Sequence, residues 1–270
     1  MSQDVLKRNN VKVSGNGTQP MLFAHGFGCD QNMWRYVTHH FEDDYRVVLF
    51  DYVGSGKSDV SAYDSKRYGS LEGYAQDVLD VVHALDLEEI VFVGHSVSSM
   101  IGVLAANEEP ERFERLILVS PSPRYINDSP YVGGFEQRDI EGLFEMMDHN
   151  FIGWANFLAP AIMKNADRPE LGSELTESFC STDPVITRQF AKATFLADNR
   201  EDLSRVKIPS LILQCSDDMV APLDVGEYLS RELADSTLRV MKAVGHCPHM
   251  SDPEETVSLI KEYLSSPVPA

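Results

Sequence analysis

Short apolar runs alternate with longer amphipathic stretches along most of the chain. Residues 11–13, 21–24 and 46–50 read as strands, the third closing on Asp51. Residues 90–93, Ile-Val-Phe-Val, form the unbroken β-branched and aromatic run that a strand covered on both faces needs. Ahead of it, Tyr74, Val78, Val81, Val82 and Leu85 recur at helical spacing and predict an amphipathic helix over 71–86. Residues 116–119 form a further strand, closed by Ser120-Pro121-Ser122-Pro123, and 209–214 and 238–241 are two more. A last helix starts with Asp252 at the N-cap, Pro253 in the first turn and Glu255 placed for a capping box, with Val257, Ile260 and Leu264 on its buried face. Strands alternating with helices predict an α/β fold: a mostly parallel central sheet flanked by helices. Residues 122–199 break the alternation, with no strand pattern, many aromatics, and Pro160, Pro169 and Pro184 as punctuation. The expected division is a core of 1–121 and 197–270 with a helical lid insertion of 122–196.

The strand at 90–93 runs directly into Gly94-His95-Ser96-Val97-Ser98, and helical spacing resumes at once through Val97, Met100, Ile101, Val103 and Leu104. A strand that turns into a helix around a serine is the sequence form of a nucleophile elbow, with helix N-terminal N–H groups beneath the serine. A buried strand end that carries Gly-His-Ser by chance is the bland alternative, and the strand-before, helix-after context argues against it. Ser98 stands where the usual pattern has a second glycine, which predicts an intact but slightly more crowded turn.

A serine hydroxyl needs a histidine base, and the base needs an orienting carboxylate. With the chain order Ser, Asp or Glu, His, only His246 and His249 follow the helical segment. His246 leaves the strand at 238–241 behind Gly245 and is the stronger candidate. The acid belongs to the loop after 209–214, where Asp217 and Asp218 both stand. An oxyanion hole needs a second backbone donor, and His25-Gly26-Phe27-Gly28 supplies it, so the expected donors are the N–H groups of Phe27 and Val97. His25 lies on the wrong side of the elbow to be the base; it is read as a loop-stabilising residue and grouped with the pocket.

Two motifs compete. Residues 51–58, Asp-Tyr-Val-Gly-Ser-Gly-Lys-Ser, resemble a phosphate-binding loop, but Asp51 replaces its first glycine and no helical pattern follows. His246-Cys247-Pro248-His249 suggests a metal, but no third ligand lies nearby in sequence. Composition sharpens the picture. With 42 acidic against 23 basic residues the net charge is −19, which argues against nucleic acid or an anionic membrane as partner. The start of the chain has no basic-then-apolar leader, and no apolar run reaches the roughly 18 residues of a membrane span. Cys29, Cys180, Cys215 and Cys247 are widely spaced and read as free thiols of a cytoplasmic protein. No metal and no cofactor is expected.

With elbow, acid loop and histidine loop in order, the chain resembles the α/β-hydrolase family. Within it the resemblance is to the RsbQ-like group, stress-response regulators related to plant strigolactone and karrikin receptor hydrolases. It runs over nearly the whole length, on His25-Gly-Phe-Gly-Cys-Asp-Gln31, Phe50-Asp-Tyr-Val-Gly-Ser-Gly56, Tyr74-Ala-Gln-Asp-Val78, Gly94-His-Ser-Val97, Phe179-Cys-Ser-Thr-Asp-Pro-Val185, Arg188-Gln-Phe-Ala-Lys192 and Gly245-His-Cys-Pro-His-Met250. Ser98 resembles the plant-type variant. The resemblance implies a catalytic set of Ser96, Asp218 and His246, favouring Asp218 over Asp217 by loop spacing. It also implies a four-helix lid over a closed apolar pocket, for which Phe27, Tyr125, Phe135, Trp154, Phe157 and Phe195 are the candidate lining. The implied activity is that of a slow serine hydrolase acting on or sensing a small apolar ester or lactone. The implied setting is a sigma-B-type energy-stress response, with a regulatory phosphatase as partner. The residues also fit a general small-ester carboxylesterase, or a non-catalytic ligand sensor whose lid is an interaction surface.

Overall fold

The computed structural model describes residues 2–266. Seven strands, β1 (Lys12–Ser14), β2 (Pro20–Ala24), β3 (Arg46–Leu49), β4 (Ile90–His95), β5 (Phe113–Val119), β6 (Ser210–Asp217) and β7 (Ser236–Val244), form one sheet in the order β1-β3-β2-β4-β5-β6-β7. β1 pairs antiparallel with β3 and every other pairing is parallel. Phe23 stands opposite Val93, and Val93 opposite Ile117. β2 and β4 are buried at every residue, which is why their sequences are apolar without alternation.

The helices are α1 (Ser2–Arg8), α2 (Leu71–Leu85), α3 (Val97–Glu108), α4 (Gln137–His149), α5 (Phe151–Met163), α6 (Pro169–Cys180), α7 (Pro184–Phe195), α8 (Leu223–Glu232) and α9 (Pro253–Leu264), with single turns between them. α4 to α7 all fall between β5 and β6, and α5 packs on α6. α1 had no counterpart in the hydrophobic pattern. It is held by polar contacts: Arg8 reaches Asp80 at 2.7 Å and Asn9 reaches the buried Asp77 at 3.1 Å. Asp77 also accepts from Arg67 at 2.7 Å, Tyr68 at 2.8 Å and the Val53 N–H at 3.0 Å, so its burial is matched by donors on both oxygens.

One local reading is corrected. Asp252 caps α9 by accepting from Glu255 N, but the Glu255 carboxylate does not close a capping box. It accepts instead from the N–H groups of Lys242 and Ala243 at 2.8 and 2.9 Å, covering donors on the edge strand β7. In the phosphate-loop look-alike, Asp51 accepts from Gln31 N, Lys57 N and Asn10 Nδ2 at 2.9, 2.9 and 2.7 Å. Its own carboxylate takes the N–H groups that a bound phosphate would need.

Candidate active site

β4 hands over to α3 through Ser96, whose backbone sits at φ 56, ψ −123. A non-glycine residue held there is strained by about 1–3 kcal/mol, and the surroundings fix it. Ser96 N donates to Val119 O at 2.8 Å, and a Cβ on Gly94 would stand 2.6 Å from Ser98 O, so only glycine lets the two backbones pass. Ser98 is not a crowding substitute for glycine. Its hydroxyl is fully buried and donates to His25 O, which leaves Tyr52 OH to donate to Ser98 Oγ at 2.9 Å. The serine therefore ties the first turn of α3 to the loop that carries Phe27.

The structure brings Ser96, His246 and Asp218 into one relay. His246 Nε2 lies 2.7 Å from Ser96 Oγ, and His246 Nδ1 lies 2.6 Å from Asp218 Oδ2. The other oxygen, Asp218 Oδ1, accepts from Val220 N at 2.8 Å and Ala221 N at 3.2 Å. Asp217 points away, exposed and paired with Lys164. The base loop is held from both sides. His246 N donates to Ile162 O at 2.9 Å, and His95 Nε2 donates to His246 O at 2.7 Å. Gly245, at φ +84, has its α-carbon against the Met163 carbonyl, where a Cβ would come within 2.2 Å.

His249 takes no part in the relay. It is fully buried beside Trp34 and His95, with ring centroids 4.5 and 4.4 Å away. Burial, helped by the nearby His246, pushes it down to about 3. His95 is likewise held neutral, chiefly by burial. Burial also raises the Cys29 thiol to about 12 and the Cys247 thiol well above its ordinary value, so neither presents a thiolate.

A small, partly enclosed chamber of about 30 Å³ adjoins the relay. Of the expected lining, Phe27, Tyr125 and Phe195 face it. Tyr125 OH stands 3.4 Å from Ser96 Oγ, and burial raises its phenol so that it stays neutral. Phe135 and Trp154 stand one layer behind: Phe135 packs 6.5 Å from Phe195, and Trp154 stacks on Phe179 at 5.2 Å. Phe157 is corrected outright. It is 59% exposed, because α5 turns Trp154, Ala155, Leu158, Ala159 and Ile162 inward instead. His25 is also absent from the chamber. It is buried beneath the loop, with Nδ1 on Gly26 O at 2.9 Å and Nε2 accepting from Tyr52 N at 3.3 Å, a loop-stabilising role only. Cys29, Ile162, Leu175, Phe179, Thr194 and Val220 line the chamber without having been singled out. Leu175 and Phe179 lie on the buried face of the amphipathic helix α6, which was the one signal available for them.

Val97 is the first residue of α3, ahead of the helix's own hydrogen-bond ladder, and Phe27 lies on the facing loop. Among the described residues no group of three or more His, Cys, Asp or Glu could hold a metal ion, and no helix is long and apolar enough to cross a membrane.

Comparison with known proteins places this geometry. The model of the alpha/beta hydrolase family matches residues 21–259. The chain is 37% identical over 261 residues to the Karrikin insensitive 2 receptor CA of Petunia hybrida, covering 96% of this chain and 97% of that protein. It is 37% identical over 266 residues to Strigolactone esterase D14 of Arabidopsis thaliana, covering 98% and 99%. Among solved structures, olei00960, a hydrolase from Oleispira antarctica, aligns with a TM-score of 0.96 at 45% identity over 98% of both chains.

Proposed function

This chain belongs to the alpha/beta hydrolase family, and on that premise we propose that it is a serine hydrolase of small, apolar esters or lactones. The observation that carries the reading is the continuous relay from Ser96 through His246 to Asp218, at 2.7 and 2.6 Å, beside a small, mainly apolar chamber. Ser96 Oγ attacks the carbonyl carbon while its proton passes to His246 Nε2. Asp218 holds the imidazole by Nδ1 and stabilises the imidazolium. The carbonyl oxygen, now an anion, takes the N–H groups of Phe27 and Val97. As the intermediate collapses, the carbon–oxygen bond to the leaving alcohol breaks and His246 returns its proton to that oxygen. Water then attacks the acyl-serine with His246 as base, and the acid departs. For a lactone the leaving alcohol stays attached to the acyl group.

The chamber is small, about 30 Å³. A small ester needs more room than this, so its binding requires lining side chains to shift, which supports slow turnover. The names of the two plant relatives, an esterase and a receptor, support a protein that both cleaves and senses its ligand. Coupling to a stress-response phosphatase rests on the RsbQ-like sequence resemblance alone, and a cytoplasmic setting rests on the four free cysteines. The test is a time course of p-nitrophenyl acetate and butyrate hydrolysis by wild type and Ser96→Ala. Hydrolysis by wild type that is lost in the variant supports the proposal; equal rates sink it.

A further inference from the structure

Helical threonines of this chain find partners for their hydroxyls: Thr187, on the same helix as Thr194, donates to Thr182 Oγ1 at 2.6 Å. Thr176 donates to Gly172 O at 2.9 Å and Thr256 to Asp252 O at 3.0 Å, each closing its hydroxyl onto the carbonyl one turn earlier. Thr194, in the last turn of α7, is 1% exposed, yet its Oγ1 has no hydrogen-bond partner in the protein. It lines the same chamber as Ser96, on the lid side, next to Phe195. A buried hydroxyl without a partner is costly, so each such case calls for an explanation.

The other oxygen- and nitrogen-bearing groups of the lining are accounted for, and the Cys29 and Cys247 thiols are weak hydrogen-bonding groups. Ser96 and His246 hold each other, and Tyr125 OH stands near Ser96 Oγ. His95 donates through Nε2 to His246 O; its unpartnered Nδ1 is covered by Gly26, where an added Cβ would come within 2.4 Å. Phe27, Ile162, Leu175, Phe179, Phe195 and Val220 are apolar. Within this lining Thr194 Oγ1 and His95 Nδ1 are the side-chain oxygen and nitrogen atoms without a hydrogen-bond partner, and Gly26 closes off the second.

We infer that Thr194 is a specificity determinant that hydrogen-bonds a second oxygen of the substrate, separate from the scissile carbonyl. The substrate class is then a small ester or lactone with its reacting carbonyl on Ser96, an apolar body, and one ether, carbonyl or hydroxyl oxygen toward α7. This rests on the proposal that Ser96 cleaves esters in this chamber.

Two matched pairs test it: p-nitrophenyl butyrate against methoxyacetate, and p-nitrophenyl valerate against 3-methoxypropionate. Within each pair an ether oxygen replaces one methylene, so shape is nearly constant. The difference in intrinsic reactivity cancels when the kcat/KM ratio of a pair is compared between proteins. Thr194→Val is expected to lower the ether-to-alkyl ratio about ten-fold in at least one pair, and Thr194→Ser to retain it. Thr194→Ala gives the same comparison if the valine variant folds poorly. Ratios unchanged in both pairs, or both members of each pair altered alike, overturn the inference. Ser96→Ala keeps the two proposals apart. Hydrolysis surviving in that variant refutes the serine mechanism, whereas hydrolysis lost there with ratios unmoved by Thr194→Val sinks only the role of Thr194. Thermal shifts of Ser96→Ala and Ser96→Ala/Thr194→Val with the corresponding methyl esters read the same preference without turnover, and equal shifts for ether and alkyl esters count against it.

Discussion

Asp218→Asn changes one atom and tests the entire relay. For His246 to take the Ser96 proton at Nε2, its Nδ1 must carry the hydrogen and donate it to Asp218 Oδ2, 2.6 Å away. In the asparagine variant the side chain has one acceptor and one donor to place. The Oδ1 position accepts from both Val220 N and Ala221 N, so the amide oxygen is fixed there. The NH₂ group then faces His246 Nδ1 and selects the tautomer protonated at Nε2, which cannot accept the serine proton. Flipping the amide would leave two buried backbone donors facing an NH₂, at about 1–3 kcal/mol each. The expected loss in kcat is about 10³–10⁴-fold, or about 4–5.5 kcal/mol in the barrier. Asp217→Asn is the internal control. It removes only an exposed ion pair with Lys164, worth about 0.2–1 kcal/mol, so activity should stay within about two-fold. Steady-state hydrolysis of p-nitrophenyl acetate, with circular dichroism to verify folding, makes the measurement. A folded Asp218→Asn protein within ten-fold of wild type would refute the reasoning, as would an Asp217→Asn protein that is equally impaired.

Three further outcomes are expected. Ser98→Gly restores the commoner elbow residue but strands the His25 carbonyl and the Tyr52 hydroxyl, so the thermal midpoint should fall by the equivalent of about 1–3 kcal/mol; an unchanged or higher midpoint counts against the bridging role. Phe179→Ala, which removes a fully buried ring stacked on Trp154, should cost about 3–5 kcal/mol in denaturant unfolding, whereas Phe157→Ala on the exposed face of α5 should stay within about 0.5 kcal/mol; similar values for the two would contradict the placement of these rings. Burial holds His25, His95 and His249 below their ordinary pKa, with His249 at about 3, so the unfolded chain binds more protons than the folded one as pH drops below about 6.5. Stability contributed by these groups is therefore present above about pH 6.5 and lost as pH falls toward their folded values, by up to ~1.4 kcal/mol per histidine per pH unit; a thermal midpoint that does not move between about pH 7.5 and 5 contradicts this.

The alternation of strands with helices was legible because each apolar run has the length and composition that its position in a covered parallel sheet requires, β2 and β4 most clearly. The elbow was legible for the same reason: a buried strand, a tight turn and a helix leave a joint signature that none of them leaves alone. The choice between Asp217 and Asp218 was not contained in the local pattern. The two are adjacent at a strand end, where a shift of one residue sends a side chain to the opposite face. The chamber lining was the least legible part. α5 carries apolar residues on nearly every side, including Phe151, Ile152, Trp154, Phe157 and Ile162, so periodicity does not say which face turns inward. Trp154 and Phe157 were therefore taken together, although one is buried and the other exposed. α1 was invisible to a hydrophobic reading because its attachment is by hydrogen bonds to Asp77 and Asp80.

The relay and the roof of the chamber are mechanically one unit. Ile162, near the end of α5, contributes its side chain to the chamber wall and its carbonyl to the His246 N–H at 2.9 Å. The next carbonyl, of Met163, lies against the α-carbon of Gly245 too closely for any side chain at that position. On the far side, His95 grips the His246 carbonyl from the elbow itself. The His246 loop is thus clamped between the strand that leads into Ser96 and the last turn of a helix that also forms the chamber wall. Any displacement of that turn large enough to admit a ligand draws on the same carbonyls that set the position of His246.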